Sequence, residues 1–236
     1  MKHYAIIVAG GSGTRFGSSI PKQFLPLCGR PVLMRTIEQF LKCAHTEVVV
    51  VLPAQQRAYW HELCEQHGFT APHSVVAGGD SRFQSVKNAL LSLQLTDADI
   101  VAVHDGVRPL VAERIITENI EKCRKYGYAI TGMICKEAIM QKVDDCVKNI
   151  DIPRERLVRT QTPHTYPLST LLKAHAEADA KGIDGTVASC TLMAELGVDN
   201  QHLVMGSEKN GLKLTQTEDV ELFKALKHTT KDEWLK

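Results

Sequence analysis

Short, unbroken runs of apolar and β-branched residues recur along this chain, separated by longer stretches with a different rhythm. The runs are YAIIVA (Tyr4 to Ala9), EVVVVLP (Glu47 to Pro53), HSVVAG (His73 to Gly78), DIVAVHD (Asp99 to Asp105) and AITGMIC (Ala129 to Cys135). Runs of this length without polar alternation suit strands covered on both faces. Between them, Val32 to Leu41, Gln55 to His67, Arg82 to Leu93 and Ala112 to Tyr126 carry apolar residues at i, i+3 and i+4 with charges between. That is the stripe of an amphipathic helix. Strand and helix in strict alternation require right-handed crossovers, which build a parallel sheet with helices on both sides. The predicted fold class is therefore α/β: a three-layer sandwich around a mostly parallel, Rossmann-like sheet. Ligands of such sheets sit beyond the carboxyl ends of the strands, so the residues just after each strand are the candidates for chemistry.

After Cys135 the alternation breaks. Lys136 to Thr160 (KEAIMQKVDDCVKNIDIPRERLVRT) is polar and charged with strand-like pieces and no helical stripe, which predicts a protruding β-arm, a device that often grips a second subunit. Helices are expected again at Pro167 to Ala180 and Val187 to Leu196, then a strand at His202 to Met205 and a terminal helix from Thr217 to Leu226. There is no internal repeat. The chain reads as a single domain, 1–236, with 136–160 as its dimerisation arm.

Composition narrows the partners. A formal net charge of +1 lacks the cationic excess of a sequence-independent nucleic-acid binder, which leaves small molecules or a second copy of the chain. Cys28, Cys43, Cys64, Cys123, Cys135, Cys146 and Cys190 are odd in number and form no C-x-x-C pair. Reduced thiols and a cytoplasmic location are expected, rather than disulfides or a zinc site. The apolar run of MKHYAIIVAGG is too short for a signal sequence, and no window approaches the ~18 apolar residues of a membrane span.

The stretch VAGGSGTRFGSSIPKQF (Val8 to Phe24) follows the first strand. Bare glycine backbone there lets N–H groups approach phosphate oxygens, and the cations that follow neutralise charge. It is not a P-loop, because Lys22 follows Pro21 rather than glycine. It also misses the dinucleotide G-x-G-x-x-G, because Phe16 stands where the last glycine belongs. HELCEQH (His61 to His67) spaces its histidines at i, i+6 rather than the i, i+4 of a zinc-binding helix and reads as a solvated helix.

G-G-x-G-T-R followed by P-K is similar to the loop of nucleotidyltransferases. With GGDSRFQSV (Gly78 to Val86), VHDGVRP (Val103 to Pro109), QTPH (Gln161 to His164) and LKLT (Leu212 to Thr215) following in order, the chain resembles the cytidylyltransferases that make CDP-methylerythritol and CDP-ribitol. The resemblance implies attack by a polyol phosphate oxygen on the α-phosphorus of CTP, with pyrophosphate leaving. Catalysis then consists of positioning and cationic stabilisation and needs no side-chain nucleophile. It implies Arg15, Lys22 and Lys213 as catalytic cations. Ala9, Gly10, Gly11, Ser12, Gly13 and Thr14 would hold the triphosphate, and Gly79, Asp80 and Ser85 the cytosine and ribose. Asp80 could equally cap the helix that begins there. Asp105 would hold Mg²⁺ and face the acceptor, with Arg108 on the acceptor phosphate and Thr162 beside it. Arg154, at the arm position from which relatives reach a neighbouring subunit's acceptor, implies a homodimer with exchanged arms.

The acceptor half departs from the methylerythritol pattern. Glu137-Ala138 stands in place of a D-T pair, and Gly185-Thr186-Val187-Ala188-Ser189 in place of T-D-[DE]-A-S. Ile152-Pro153-Arg154 looks more like the ribitol branch. The reading leans to D-ribitol 5-phosphate, with 2-C-methyl-D-erythritol 4-phosphate as the alternative. A CTP-binding regulatory protein without turnover is the alternative of another class. A sugar-1-phosphate nucleotidyltransferase would share the first loop but not VHDGVRP and QTP.

Overall fold

In the computed structural model, residues 2–11, 20–94, 99–214 and 218–228 are described. Val48, Val49, Val50 and Val51 are consecutive and all buried, so both faces of their strand are covered, as its unbroken apolar run requires. The strands in chain order are β1 (His3–Val8), β2 (Pro26–Leu27), β3 (Arg30–Pro31), β4 (Thr46–Leu52), β5 (Ser74–Ala77), β6 (Ile100–Asp105), β7 (Ala129–Ile134), β8 (Met140–Val143), β9 (Cys146–Asn149), β10 (Val158–Pro167) and β11 (His202–Met205). The helices are α1 (Val32–Leu41), α2 (Arg57–Gln66), α3 (Arg82–Leu91), α4 (Glu113–Tyr126), α5 (Leu168–Ala180), α6 (Ser189–Glu195), α7 (Glu208–Gly211) and α8 (Glu218–His228). The expected start of the last helix, Thr217, lies outside the described residues.

Among the described residues a seven-stranded sheet runs β11-β7-β10-β6-β1-β4-β5. β1 lies parallel between β4 and β6, with Val8 level with Val51 on one side and Asp105 on the other. Ile7, Val50 and Leu52 face Leu33, Met34 and Phe40 of α1, Trp60 of α2 and Ile116 of α4. Ile6, Val49 and Val51 face Val86 and Leu90 of α3, Leu171 of α5 and Met193 of α6. This is the predicted sandwich, with α1, α2 and α4 on one face and α3, α5 and α6 on the other. α4 stops at Gly127, whose φ of 92° suits glycine and turns its N–H back onto the Cys123 carbonyl at 2.7 Å. No helix among the described residues is long and apolar enough to cross a membrane.

One sheet strand is not evident from the sequence. β10 runs antiparallel between β6 and β7, with a register shift between Thr160 and His164 and a cis Thr162–Pro163 peptide. The protruding hairpin is correspondingly shorter than the expected Lys136 to Thr160. β8 and β9 pair from Met140↔Asn149 to Val143↔Cys146, whereas Val158, Arg159 and Thr160 pair with Ile134, Met133 and Gly132 of β7. Their backbone groups complete the main sheet rather than the arm.

Candidate active site

The carboxyl ends of β1, β5 and β6 open onto one cleft. The chain leaving each strand is held by its neighbours: Ala9 N–H donates to the Val51 carbonyl at 2.9 Å, Gly78 N–H to Leu52 at 2.8 Å and Gly106 N–H to Val8 at 2.9 Å. On one wall Gly79 precedes α3. A Cβ there would lie 2.7 Å from the Gln84 Cβ, so any side chain would displace this wall, and the glycine's N–H donates to the Ser85 Oγ at 3.1 Å. Ser81, not Asp80, caps α3, accepting the Gln84 N–H at 3.0 Å. Asp80 stands one residue earlier, exposed and lining the cleft. On the opposite wall a Cβ at Gly11 would come within 3.3 Å of the Lys22 Cε, so bare glycine lets the lysine lie across it. The single turn Lys22–Phe24 is tied down behind that amine. Gln23 Nε2 donates to Gln56 Oε1 at 2.6 Å, and Phe24 stacks on Trp60 with ring centroids 5.9 Å apart.

Asp105 ends β6 at the floor of the cleft. Its Oδ2 is 3.0 Å from both Arg108 Nε and Lys213 Nζ, and its Oδ1 is 3.5 Å from Arg82 Nη2. Its own N–H donates to Thr162 Oγ1 at 3.3 Å. Burial alone would raise the carboxyl's pKa, but Arg82, Lys213 and Arg108 outweigh it and hold the group well below the usual carboxylate range. Asp105 is therefore ionised wherever the protein is folded near neutrality. Beneath it, burial drives His104 down to about 4 and His164 to about 3, so both are neutral. One carboxylate facing three cations leaves surplus positive charge over a glycine-edged cleft. That arrangement takes up a polyanion and can stabilise charge developing on it.

The cleft gathers Ala9, Gly10, Gly11, Lys22, Gly79, Asp80, Ser85, Asp105 and Lys213 from the sequence expectation. Arg108 joins through Asp105 and also donates to the Gly211 carbonyl. Thr162 is buried behind Asp105 rather than on the cleft wall. Arg154 lies on the arm, its Nη1 donating to the Lys136 carbonyl at 3.3 Å and its Nε 3.5 Å from Glu155, beside a groove edged by Ala138 and Ile152. Ser12, Gly13, Thr14 and Arg15 lie outside the described residues. Arg82 belongs to the site and was not singled out from the sequence. The available signal was a cation in the first turn of a helix, which the helix dipole disfavours and a facing carboxylate repairs. Among the described residues no three His, Cys, Asp or Glu side chains gather. A lone carboxylate does not form a metal cage, but it suits a magnesium ion ligated mainly by phosphate oxygens.

Residues 3–228 match the family model for 2-C-methyl-D-erythritol 4-phosphate cytidylyltransferase. A protein of that name from Bacteroides thetaiotaomicron is 36% identical over 96% of this chain and 100% of its own length. A ribitol-5-phosphate cytidylyltransferase from Lacticaseibacillus paracasei is 38% identical over 94% of this chain and 96% of its own. Among solved structures, 4-diphosphocytidyl-2C-methyl-D-erythritol synthase from Anaerococcus prevotii superposes with a TM-score of 0.80 at 24% identity, covering 95% of each chain. That likeness confirms the fold.

Proposed function

The chain belongs to the 2-C-methyl-D-erythritol 4-phosphate cytidylyltransferase family and transfers CMP from CTP to a polyol phosphate, and from that premise we propose how its residues divide the work. Lys22 and Lys213, with Arg15 and Arg82, bracket the triphosphate and stabilise charge as pyrophosphate departs. Ala9 edges the phosphate site, and Gly10 and Gly11, continuing into Ser12, Gly13 and Thr14, give the phosphates backbone N–H groups. Gly79, Asp80 and Ser85 take the cytosine and ribose. Asp105 orders the cations and faces the acceptor. A Mg²⁺ ion carried by the triphosphate would be held by Asp105 and would neutralise phosphate charge. The observation that carries this reading is the Asp105 carboxylate set among Arg82, Arg108 and Lys213 at the sheet's carboxyl edge.

The enzyme works in the cytoplasm as a homodimer: in each site Arg108, beside Asp105, meets the acceptor phosphate and Thr162 steadies Asp105 from behind, while Arg154 reaches the acceptor bound by the partner subunit. Ile139, Met140, Val147 and Ile152 on the arm are each at least 43% exposed, which supports a surface covered by a second copy. The acceptor is a linear polyol phosphate. Ile152-Pro153-Arg154 puts ribitol 5-phosphate first, although relatives bearing either substrate's name are about equally similar. The test is pyrophosphate release with CTP and Mg²⁺, run in parallel with ribitol 5-phosphate and 2-C-methyl-D-erythritol 4-phosphate. Release with ribitol 5-phosphate is expected, and release only with the other reverses the acceptor. Silence with both while CTP binds points to a polyol phosphate not among these two or to the CTP-binding regulatory protein.

A further inference from the structure

Gln161 is 3% exposed on β10, off the cleft wall, and the reaction just described leaves it without work. Its amide sits in a slot between two glycines. A Cβ at Gly206 would collide with its Oε1, and one at Gly211 would come within 2.5 Å of its Cδ. Gly211 has no left-handed φ, so space rather than backbone conformation excludes a side chain there. The Gln161 Nε2 donates to the Ser207 carbonyl at 3.1 Å. The turn from Ser207 to Gly211 is thus moulded around this one amide. Other contacts fix the same turn from outside. Arg108 donates to the Gly211 carbonyl, Ala112 N–H donates to Asn210 Oδ1 at 2.7 Å, and Leu214 N–H donates to the Val107 carbonyl at 3.0 Å. Lys213 stands between those last anchors, with its Nζ 3.0 Å from Asp105.

We propose that Gln161 is a positioning residue for Lys213: its amide sets the height of the Ser207 to Gly211 turn and so the point from which the lysine reaches the phosphates. Without the amide's N–H the Ser207 carbonyl is left buried without its donor, and the turn shifts from its seat to regain a partner. A displacement of about 1 Å in a catalytic cation costs on the order of 100-fold in rate. The inference rests on the role given to Lys213 above.

The experiment is a double-mutant cycle on pyrophosphate release with CTP, Mg²⁺ and the acceptor that supports turnover, using Gln161→Met, which keeps volume but cannot donate, Lys213→Ala and the double variant. Gln161→Met is expected to lower kcat about 10- to 100-fold with the KM for CTP changed less than about threefold. Adding it to Lys213→Ala is expected to cost nothing more. Equal fractional losses in both backgrounds, or normal kcat in Gln161→Met, would overturn the proposal while leaving the cytidylyltransferase reading intact. Full turnover in Lys213→Ala would instead overturn the lysine's role and the proposal with it. Should Gln161→Met fail to fold, Gly211→Ala intrudes on the same amide from the turn side. It is expected to show the same loss of kcat, again absent in the Lys213→Ala background, and normal kcat in Gly211→Ala would equally refute the positioning role.

Discussion

Replacing Asp105 with Asn keeps the side chain's shape and an oxygen for Arg108 but removes the charge on which three cations converge. The cost follows from exposure. The Asp105 side chain is 11% exposed and that of Arg108 13%, whereas Lys213 is 39% exposed and much of its attraction is screened by water. Breaking a buried pair by removing one partner costs about 3–5 kcal/mol, and with Lys213 discounted the lower end, about 3 kcal/mol, is expected. For a chain of this size that lowers Tm by about 6–12 °C. Because the folded pKa of Asp105 is depressed, the stabilisation is complete above the unfolded value near 3.8 and is lost only as pH falls through the lower folded value. The stability gap between wild type and Asp105→Asn should therefore be constant from pH 8 to pH 5 and shrink only in stronger acid. Binding should move the other way: with the carboxylate gone, CTP without metal should bind at least as tightly while turnover falls. Urea denaturation across pH and calorimetric titration of CTP measure both quantities. A variant as stable as wild type at pH 7, or one with weakened metal-free CTP binding, would refute the account of Asp105 as the counter-charge of an anion site.

Gly79→Ala forces a Cβ to within 2.7 Å of the Gln84 Cβ; the cleft wall must shift, raising the KM for CTP about tenfold with an unchanged circular-dichroism spectrum, and an unchanged KM in steady-state assays would remove this glycine from the nucleotide site. His164 is held neutral at about 3, against 6.5 when free, so the unfolded chain binds its proton first and stability falls as pH drops below about 6.5. Each buried neutral histidine contributes about 1.4 kcal/mol per pH unit in that window. His164→Gln should therefore lose about 2–3 kcal/mol less than wild type between pH 7 and pH 4.5 in urea denaturation, and identical losses would show that this imidazole is not buried neutral.

The sequence discloses those parts of the fold that one local rule governs. The valine run of β4 and the striped α1 are read directly, because burial on two faces and burial on one leave different periods. β10 escapes that reading. Its middle, Gln161 to Thr165, is polar, and Pro163 removes a ladder donor, both marks of a non-strand. The strand is nevertheless central because its polar groups serve the Asp105 cluster and the Ser207 turn, and a register shift absorbs the proline. Lys22 and Lys213 were legible from their motifs. Arg82 was not, since its partner lies on another strand and only the tertiary structure supplies it. The helix cap fell on Ser81 rather than Asp80 for a simpler reason: either side chain type can cap, and Ser81, extended immediately before α3, is the one whose side chain accepts the Gln84 N–H.

The arm leaves the sheet at Ile134 and returns at Val158, residues that face each other on β7 and β10, with Cys135 N–H donating to the Leu157 carbonyl at 2.9 Å. Entry and exit are thus the two ends of a single rung of the ladder. In modular terms the hairpin is a cassette plugged into a fixed socket. It can be lengthened, shortened or exchanged with a relative's without shifting a strand or moving Asp105. A lineage can therefore remodel this hairpin while the cleft residues stay where they are, and chimaeras spliced at this rung are the natural way to ask what the hairpin contributes.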